Sequence, residues 1–493
     1  MAKEIPSKQR ALVLQGGGAL GAYQVGVLKV LAKKIIEEDE KNAEQGRPLF
    51  DIIAGTSIGA MNAAVLVSNV VRRNKTWSEA ICELERFWKV GIALKEGTTS
   101  DADIPPLEMF PMFHWWHPWR KERCDNENNL YTKMGSLASE ELARRYYSTK
   151  VFVFGGKKVF CAKDVRPDFK FWDENNKRIV LNDLPLQERI KEFGEFPIAT
   201  SFERNQPRLL ITALDIAEGV TVTFDSYKKE DGTMKTTYLS GTKYGYIKNG
   251  VHTNNNKSKN NYEADFDPIV IKYEDGIEIE HVMASGTFPE YYDPKIISNR
   301  KFWDGGLLSN TPLKELLESH REYWMNVENK DEAPDLDVYV VNLHPSSIDI
   351  NNSLSYYDEI KDRNNDIIYG DRTYSEQYSA SVIADYAEFI KELKHLALNH
   401  IKEDNDKEAF EKEIENLRTR EAENTSYMDG RQKKYEDILR GRFKITKMVR
   451  IERKYNPNTS TSFKGGDITS KTIEEMIKEG ENDATIEIFH NES

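Results

Sequence analysis

Cysteine is scarce: Cys82, Cys124 and Cys161 are the only three in 493 residues. Scattered as they are, they offer neither a disulfide framework nor metal-ligand spacing, so the fold must rest on an apolar core and the thiols read as reduced. The nine histidines form no ligand pair apart from His114 and His117, which sit among tryptophans with no carboxylates around them. No metal and no cofactor is expected on that account. Long apolar runs are missing too. None approaches the about 18 residues that cross a bilayer, and the mean hydropathy is −0.65. Residues 1–9 have no apolar signal core, so a soluble, cytoplasmic protein is the expectation. Basic residues are outnumbered, with 69 Lys and Arg against 82 Asp and Glu and a net charge of −13. That balance argues against a nucleic-acid partner and against a general attraction to anionic membranes.

What the chain does have is glycine placed where strands turn into helices. Ala11-Leu12-Val13-Leu14 predicts a short buried strand, and Gln15-Gly16-Gly17-Gly18-Ala19-Leu20-Gly21 then opens an apolar helix through Tyr23, Val25, Val27, Leu28, Val30 and Leu31. Such a turn exposes backbone N–H groups that can hold a phosphate or an oxyanion. Gly16, Gly18 and Gly21 also satisfy G-x-G-x-x-G, but a dinucleotide site needs an acidic residue at the end of the second strand. Here that strand, Ile52-Ile53-Ala54, runs into Gly55-Thr56-Ser57-Ile58-Gly59. A strand that ends in G-x-S-x-G before the small-residue run Ala60-Met61-Asn62-Ala63-Ala64-Val65-Leu66 has the layout of a nucleophile elbow. Ser57 is therefore the candidate nucleophile.

A base for that serine has to come from elsewhere in the chain. In Phe302-Trp303-Asp304-Gly305-Gly306-Leu307-Leu308, a carboxylate follows a short apolar stretch and two glycines allow a sharp turn beside it. Asp304 could accept the serine proton if burial near Trp303, Leu307 and Leu308 raised its pKa above the usual value of about 3.9; alone, an Asp-Gly-Gly reads better as a turn cap. His344, at the end of Val338-Tyr339-Val340-Val341-Asn342-Leu343, keeps a Ser57, Asp304, His344 triad open.

Taken in order, Gly16-Gly17-Gly18-Ala19-Leu20-Gly21, Gly55-Thr56-Ser57-Ile58-Gly59 and Asp304-Gly305-Gly306 resemble the three signatures of the patatin-like phospholipase family. Met283-Ala284-Ser285-Gly286-Thr287-Phe288-Pro289 resembles the Ala-Ser-x-x-x-Pro segment that precedes the family's aspartate. The resemblance covers residues 10–345. It implies a Ser-Asp dyad with Ser57 as nucleophile and Asp304 as general base. It further implies an oxyanion hole of the Gly16, Gly17 and Gly18 amides, and a lipid or other acyl ester as substrate. Gly21, Gly55, Gly59, Gly305 and Gly306 would support the motifs. One position departs from the pattern: Leu20 stands where many members carry Arg or Lys. Esterase, polyester depolymerase and transacylase activities share this chemistry, and an inactive lipid-binding scaffold would keep the fold.

Apolar strands alternating with helices predict an α/β fold, a mainly parallel central sheet sandwiched by helices, with an inserted α+β region and a C-terminal helical extension. The expected catalytic domain is 8–345, with 72–205 as an insertion or lid region; helices are expected at 77–90 and 136–147 and short strands at 151–154 and 158–162. Strands are predicted at 206–215 and 220–227, and 254–261 reads as a polar loop. Residues 107–120 hold Trp115, Trp116 and Trp119 among prolines and phenylalanines, and suit either a peripheral membrane contact or a satellite core under a long loop. In 346–493, helices are predicted at 374–403 and 407–440, a strand at 445–453 and a helix from Ser470. These amphipathic helices would pack on the core or on a second subunit.

Overall fold

The structure, a computed structural model, describes residues 5–42, 46–93, 161–162, 181–229, 232–238, 271–289, 291–349, 357–426, 432–455 and 464–490. The Trp-rich stretch 107–120, the helix expected at 136–147, the strand at 151–154 and the loop at 254–261 lie outside these residues; of 158–162, Cys161–Ala162 pairs with Leu181–Asn182. In chain order the principal elements begin with β1 (Lys8–Leu14), α1 (Ala22–Lys41), β2 (Ile52–Thr56), α2 (Ile58–Val71) and α3 (Trp77–Arg86). They continue with β3 (Arg208–Asp215), β4 (Val220–Asp225), α4 (Ile279–Ser285), β5 (Lys295–Ile297), β6 (Arg300–Asp304) and α5 (Leu313–Glu322). Last come β7 (Asp335–Asn342), α6 (Tyr357–Tyr369), α7 (Tyr374–His400), α8 (Asp404–Arg418), β8 (Ile445–Glu452) and α9 (Ser470–His490).

Five parallel strands lie side by side in the order β3-β2-β1-β7-β8. Because successive side chains point to opposite faces, each buried strand serves two cores. Leu12 and Leu14 of β1 join Tyr23 and Leu28 of α1, Val65 of α2 and Ile477 of α9 on one face. Ala11 and Val13 turn the other way and meet Leu313 and Leu316 of α5 with Leu336 and Val338 of β7. That double burial is why these strands read as continuous apolar runs, and it gives the α/β sandwich expected from the pattern.

Antiparallel strands complete the sheet on either edge of β3. Residues 210–215 pair with β4 on one edge. On the opposite edge β2 pairs in parallel with residues 208–212 and β6 pairs antiparallel with 213–215. β2 and β6 therefore run toward each other along a single edge. Thr56 ends opposite Thr212, and Asp304 ends opposite Ala213.

C-terminal residues enter the same fold. β8 adds a strand beside β7, and α9 lies across α1. The α1–α9 crossing is closed by two glycines: a Cβ on Gly26 would fall 1.9 Å from the Ile477 carbonyl oxygen, and one on Gly480 would fall 2.2 Å from that of Tyr23. Tyr23 Oη donates to Asp483 across the same contact. The single helix predicted over 407–440 is not found. α8 stops at Arg418, and Glu421–Ser426 pairs with Gln432–Lys434 as a hairpin before a short helix at Tyr435–Leu439. The physical reason lies in Asn424-Thr425-Ser426 and Asp429-Gly430, poor helix formers and turn formers respectively, whose weight exceeds that of the Glu and Lys around them.

The α1–α9 crossing has a direct test. Gly480→Ala must push the two backbones apart, and it is expected to lower stability by about 2 kcal/mol, the usual scale for overpacking. An unchanged melting temperature would mean that the helices do not approach this closely.

Candidate active site

Strand ends define the site. β1, β2 and β7 finish level with one another, Leu14 opposite Gly55 on one side and Val341 on the other, so Gln15, Ser57 and His344 share one rim of the sheet. In a parallel sheet this rim, where connections leave the central strand on both sides, is where the fold leaves a crevice.

Ser57 occupies the turn between β2 and α2 with φ 55° and ψ −125°. A positive φ is costly for a residue with a side chain and is stored where surrounding structure overdetermines it. Here the overdetermination is visible. The Ser57 amide donates to Ser285 Oγ at 2.8 Å, and Ser285 Oγ donates to the Thr212 carbonyl at 2.5 Å. Thr56 Oγ1 donates to the Ser309 carbonyl at 2.9 Å. The flanking glycines make room: a Cβ on Gly55 would lie 2.4 Å from the Gly59 carbonyl oxygen, and one on Gly59 would lie 2.2 Å from that of Leu14. Ser57 itself is half-buried, at the N-terminus of α2, where the helix dipole favours negative charge.

Asp304 arrives at this point on β6. Its Oδ1 accepts the Gly306 amide at 2.7 Å, and the Ser57 side chain lies near enough to act on its pKa. Its own amide donates to the Thr287 carbonyl at 2.9 Å. Burial pushes the Asp304 pKa up to about 6 from 3.8, against the opposing effect of the Ser57 and Gly306 hydrogen bonds. The apolar surroundings expected from sequence are only partly the right ones. Leu308 is 58% exposed and is not what desolvates the carboxyl; main chain crowds the turn beside it, where a Cβ on Gly305 would reach to 2.5 Å from the Thr212 carbonyl oxygen.

The glycine loop stands beside both groups. A Cβ on Gly16 would lie 3.0 Å from Ser57 Cβ and 2.4 Å from Asn310 Oδ1. Asn310 holds the loop twice, its carbonyl accepting the Gly16 amide at 3.1 Å and its Nδ2 donating to the Gly16 carbonyl at 3.1 Å. The Gly16 amide is thus engaged in tying the loop down, and Gly17 and Gly18 are the glycines whose amides form no hydrogen bond among the described residues. Gly18 adopts φ +59° at the start of the turn into α1. Leu20 is fully buried in the core, and Gly21 packs on Ile58 and Trp88.

Sequence reasoning missed the residues that brace the site. Gln15, fully buried, donates to Thr311 Oγ1 at 2.8 Å and to the Tyr369 carbonyl at 3.2 Å. Its Oε1 accepts the amides of Leu343 and His344 at 2.6 and 3.0 Å. Ser285 lay within a quoted motif, but nothing local marks its hydroxyl as the support of Ser57. His344 is buried and its ring pairs with Asp366, Nδ1 to Oδ1 at 2.9 Å, while Asp304 Oδ1 accepts the Gly306 amide. Among the described residues no group of His, Cys, Asp and Glu could hold a metal ion, and no helix is long and apolar enough to cross a membrane.

Comparison with known proteins bears on the same segment. The profile of the patatin-like phospholipase family matches residues 12–317, which contain Ser57, Asp304 and the glycine loop. Patatin-like phospholipase domain-containing protein 7 of Mus musculus is 34% identical over 110 residues, 22% of this chain and 7% of the mouse protein. Its Rattus norvegicus counterpart is 34% identical over 115 residues with the same coverage. The chain thus matches only a small part of the length of these relatives. The crystal structure of VipD from Legionella pneumophila aligns with 97% of this chain and 67% of its own at 11% identity and a TM-score of 0.27, which carries no argument.

A raised pKa fixes the sign of a stability effect. The folded chain holds the Asp304 proton more tightly than the unfolded chain does, so the carboxyl favours folding below about pH 4 and this contribution is lost as pH rises through about 6. Asp304→Asn, which stays neutral, is expected to be more stable than the native chain at pH 8 by about 2 to 3 kcal/mol and to lose that advantage below about pH 4. Equal denaturation midpoints for the two proteins at pH 8 would contradict the raised value.

Proposed function

The chain belongs to the patatin-like phospholipase family, and from that premise we propose that it hydrolyses lipid acyl esters with Ser57 as nucleophile and Asp304 as general base. The observation that carries this reading is the buried Asp304 carboxyl, its pKa raised by burial and pulled back in part by the neighbouring Ser57 side chain, at the point where β2 and β6 meet end to end. Ser57 Oγ attacks the ester carbonyl carbon while its proton passes to Asp304. The carbonyl oxygen becomes an oxyanion, held by the Gly17 and Gly18 amides in water-poor surroundings. Collapse breaks the ester C–O bond, the leaving alcohol takes the proton from Asp304, and an acyl-serine remains. Water then attacks the acyl carbon, gives its proton to Asp304, and the second collapse returns that proton to Ser57 as the carboxylic acid departs.

A base with a pKa of about 6 is mostly ionised at neutral pH yet basic enough to take a proton. With Leu20 in place of a basic residue, the oxyanion is stabilised by backbone dipoles alone. Leu308, Ile367 and Ile368, exposed at 58%, 56% and 48%, lie next to the segments that bracket the site, and such apolar side chains suit an acyl chain or the surface of a lipid aggregate. In this reading residues 8–345 form the catalytic unit, with 72–205 as an insertion and 346–493 packed against it.

The reading is tested with purified protein on phospholipids, lysolipids and short-chain esters. Ser57→Ala should lose at least about 1000-fold in kcat and all labelling by a fluorophosphonate probe. Asp304→Asn should lose about 100- to 10,000-fold, whereas His344→Gln, able to keep a hydrogen bond to Asp366, should retain the larger part of the rate. The wild-type kcat/KM should climb with pH to a plateau, with a midpoint near 6. Activity that survives Asp304→Asn but not His344→Gln would replace the dyad by a triad.

A further inference from the structure

The glycine loop is tied on one side only by the hydrogen bonds of Asn310 to Gly16. Its other side rests on a piece of chain almost 450 residues away. The turn Lys464–Gly466 passes directly over the loop. The Gly465 carbonyl oxygen lies 2.5 Å from the place a Cβ on Gly18 would take, and a Cβ on Gly465 would lie 3.3 Å from the Gly17 carbonyl oxygen. Two main chains are in contact at the amides that would hold the oxyanion.

That turn is pinned by charge. Lys464 Nζ sits 2.9 Å from Asp362 and 2.7 Å from Asp366, and the three side chains are 8%, 2% and 0% exposed. The two aspartates are one helical turn apart on α6, so they share a face and repel each other without the ammonium between them. Asp366 Oδ1 also meets His344 Nδ1 at 2.9 Å, and the His344 amide donates to Gln15 Oε1 at 3.0 Å. Gln15 is the residue before Gly16. The contacts form a closed ring: Gln15, His344, Asp366, Lys464 with Gly465, and back to Gly17 and Gly18. None of His344, Asp362, Asp366 or Lys464 falls within residues 12–317 that match the family profile.

We propose that Lys464 is a positioning residue for the oxyanion loop, clamping the 464–466 turn onto Gly17 and Gly18 through Asp362 and Asp366. This rests on the reading of that loop as the oxyanion hole. Without the ammonium, the two buried carboxylates lose the cation they share, α6 and the turn move apart, and the loop loses its outer wall. Displacement of a positioning element by about 1 Å is enough to cost about 100-fold in rate.

Lys464→Met and Lys464→Arg separate the outcomes, each measured by ester kinetics and by hydrogen exchange of a peptide spanning residues 12–22. In Lys464→Met the amides of Gly16 and Leu20 should exchange faster, and kcat should fall about 100-fold with KM within about twofold of native. Arg, which keeps the charge, should restore kcat to within about tenfold. A folded Lys464→Met chain with native exchange in 12–22, or with faster exchange and native kcat, overturns the proposal; so does a kcat loss that Arg leaves unrepaired. Should Lys464→Met not fold, Asp362→Asn, which keeps the pair with Asp366, carries the same two measurements. If the wild-type chain cleaves no ester, the proposed function fails, and the exchange measurement alone still decides whether Lys464 holds the loop.

Discussion

One edge of one strand decides the chemistry available to this molecule. β2 and β6 approach each other along β3 and stop at neighbouring positions, Thr56 opposite Thr212 and Asp304 opposite Ala213. The residue that follows β2 and the residue that ends β6 are thereby brought to one place. The pairing of Ser57 with Asp304 is a consequence of sheet register, which side-chain flexibility alone would not achieve. Thr212 acts as the keystone: its carbonyl takes the Ser285 hydroxyl that supports Ser57, and it faces Gly305 beside Asp304.

Register also explains why so much of the site is main chain. With three strand ends, a helix start and the Asp304 turn crowded at one rim, side chains are excluded at Gly55, Gly59 and Gly305 by carbonyl groups closer than any real Cβ tolerates. The same crowding accompanies the burial that raises the Asp304 pKa. Tight packing around Ser57 holds its positive φ against strain. Among the polar side chains buried there, those of Gln15, Ser285 and Thr56 are hydrogen-bonded.

Local signals were legible in the sequence and long-range ones were not. β1, β2, α2, β3 and α9 announce themselves through periodicity and through glycines at strand ends, because both are properties of neighbouring residues. Asp304 could be singled out, but its partnership with Ser57 came from a resemblance, since no spacing encodes a meeting of strands 250 residues apart. The hydrogen bond of the Gly16 amide could not be read locally for the same reason: its acceptor, the Asn310 carbonyl, is 294 residues away. Leu308 looked like a core residue by type and faces solvent by position. Over 407–440, Glu and Lys made a helical face plausible, while the turn residues within it dictated the hairpin. The ring through His344, Asp366 and Lys464 left no trace in the sequence, because each member is an ordinary charged or polar residue in its own neighbourhood.

The order in which this chain is made sets when its site can exist. Ser57 and the glycine loop leave the ribosome well before α9, which closes over α1 through Gly26 and Gly480, and before β8, which flanks β7. At cellular synthesis rates the nascent first strands wait on the order of tens of seconds for those last elements. During that interval the surface of α1 that α9 will cover is bare, the sheet lacks its outer strand, and the nascent chain is in the state most open to chaperones and to aggregation. The serine turn is thus made well before the segments that complete the layers around it.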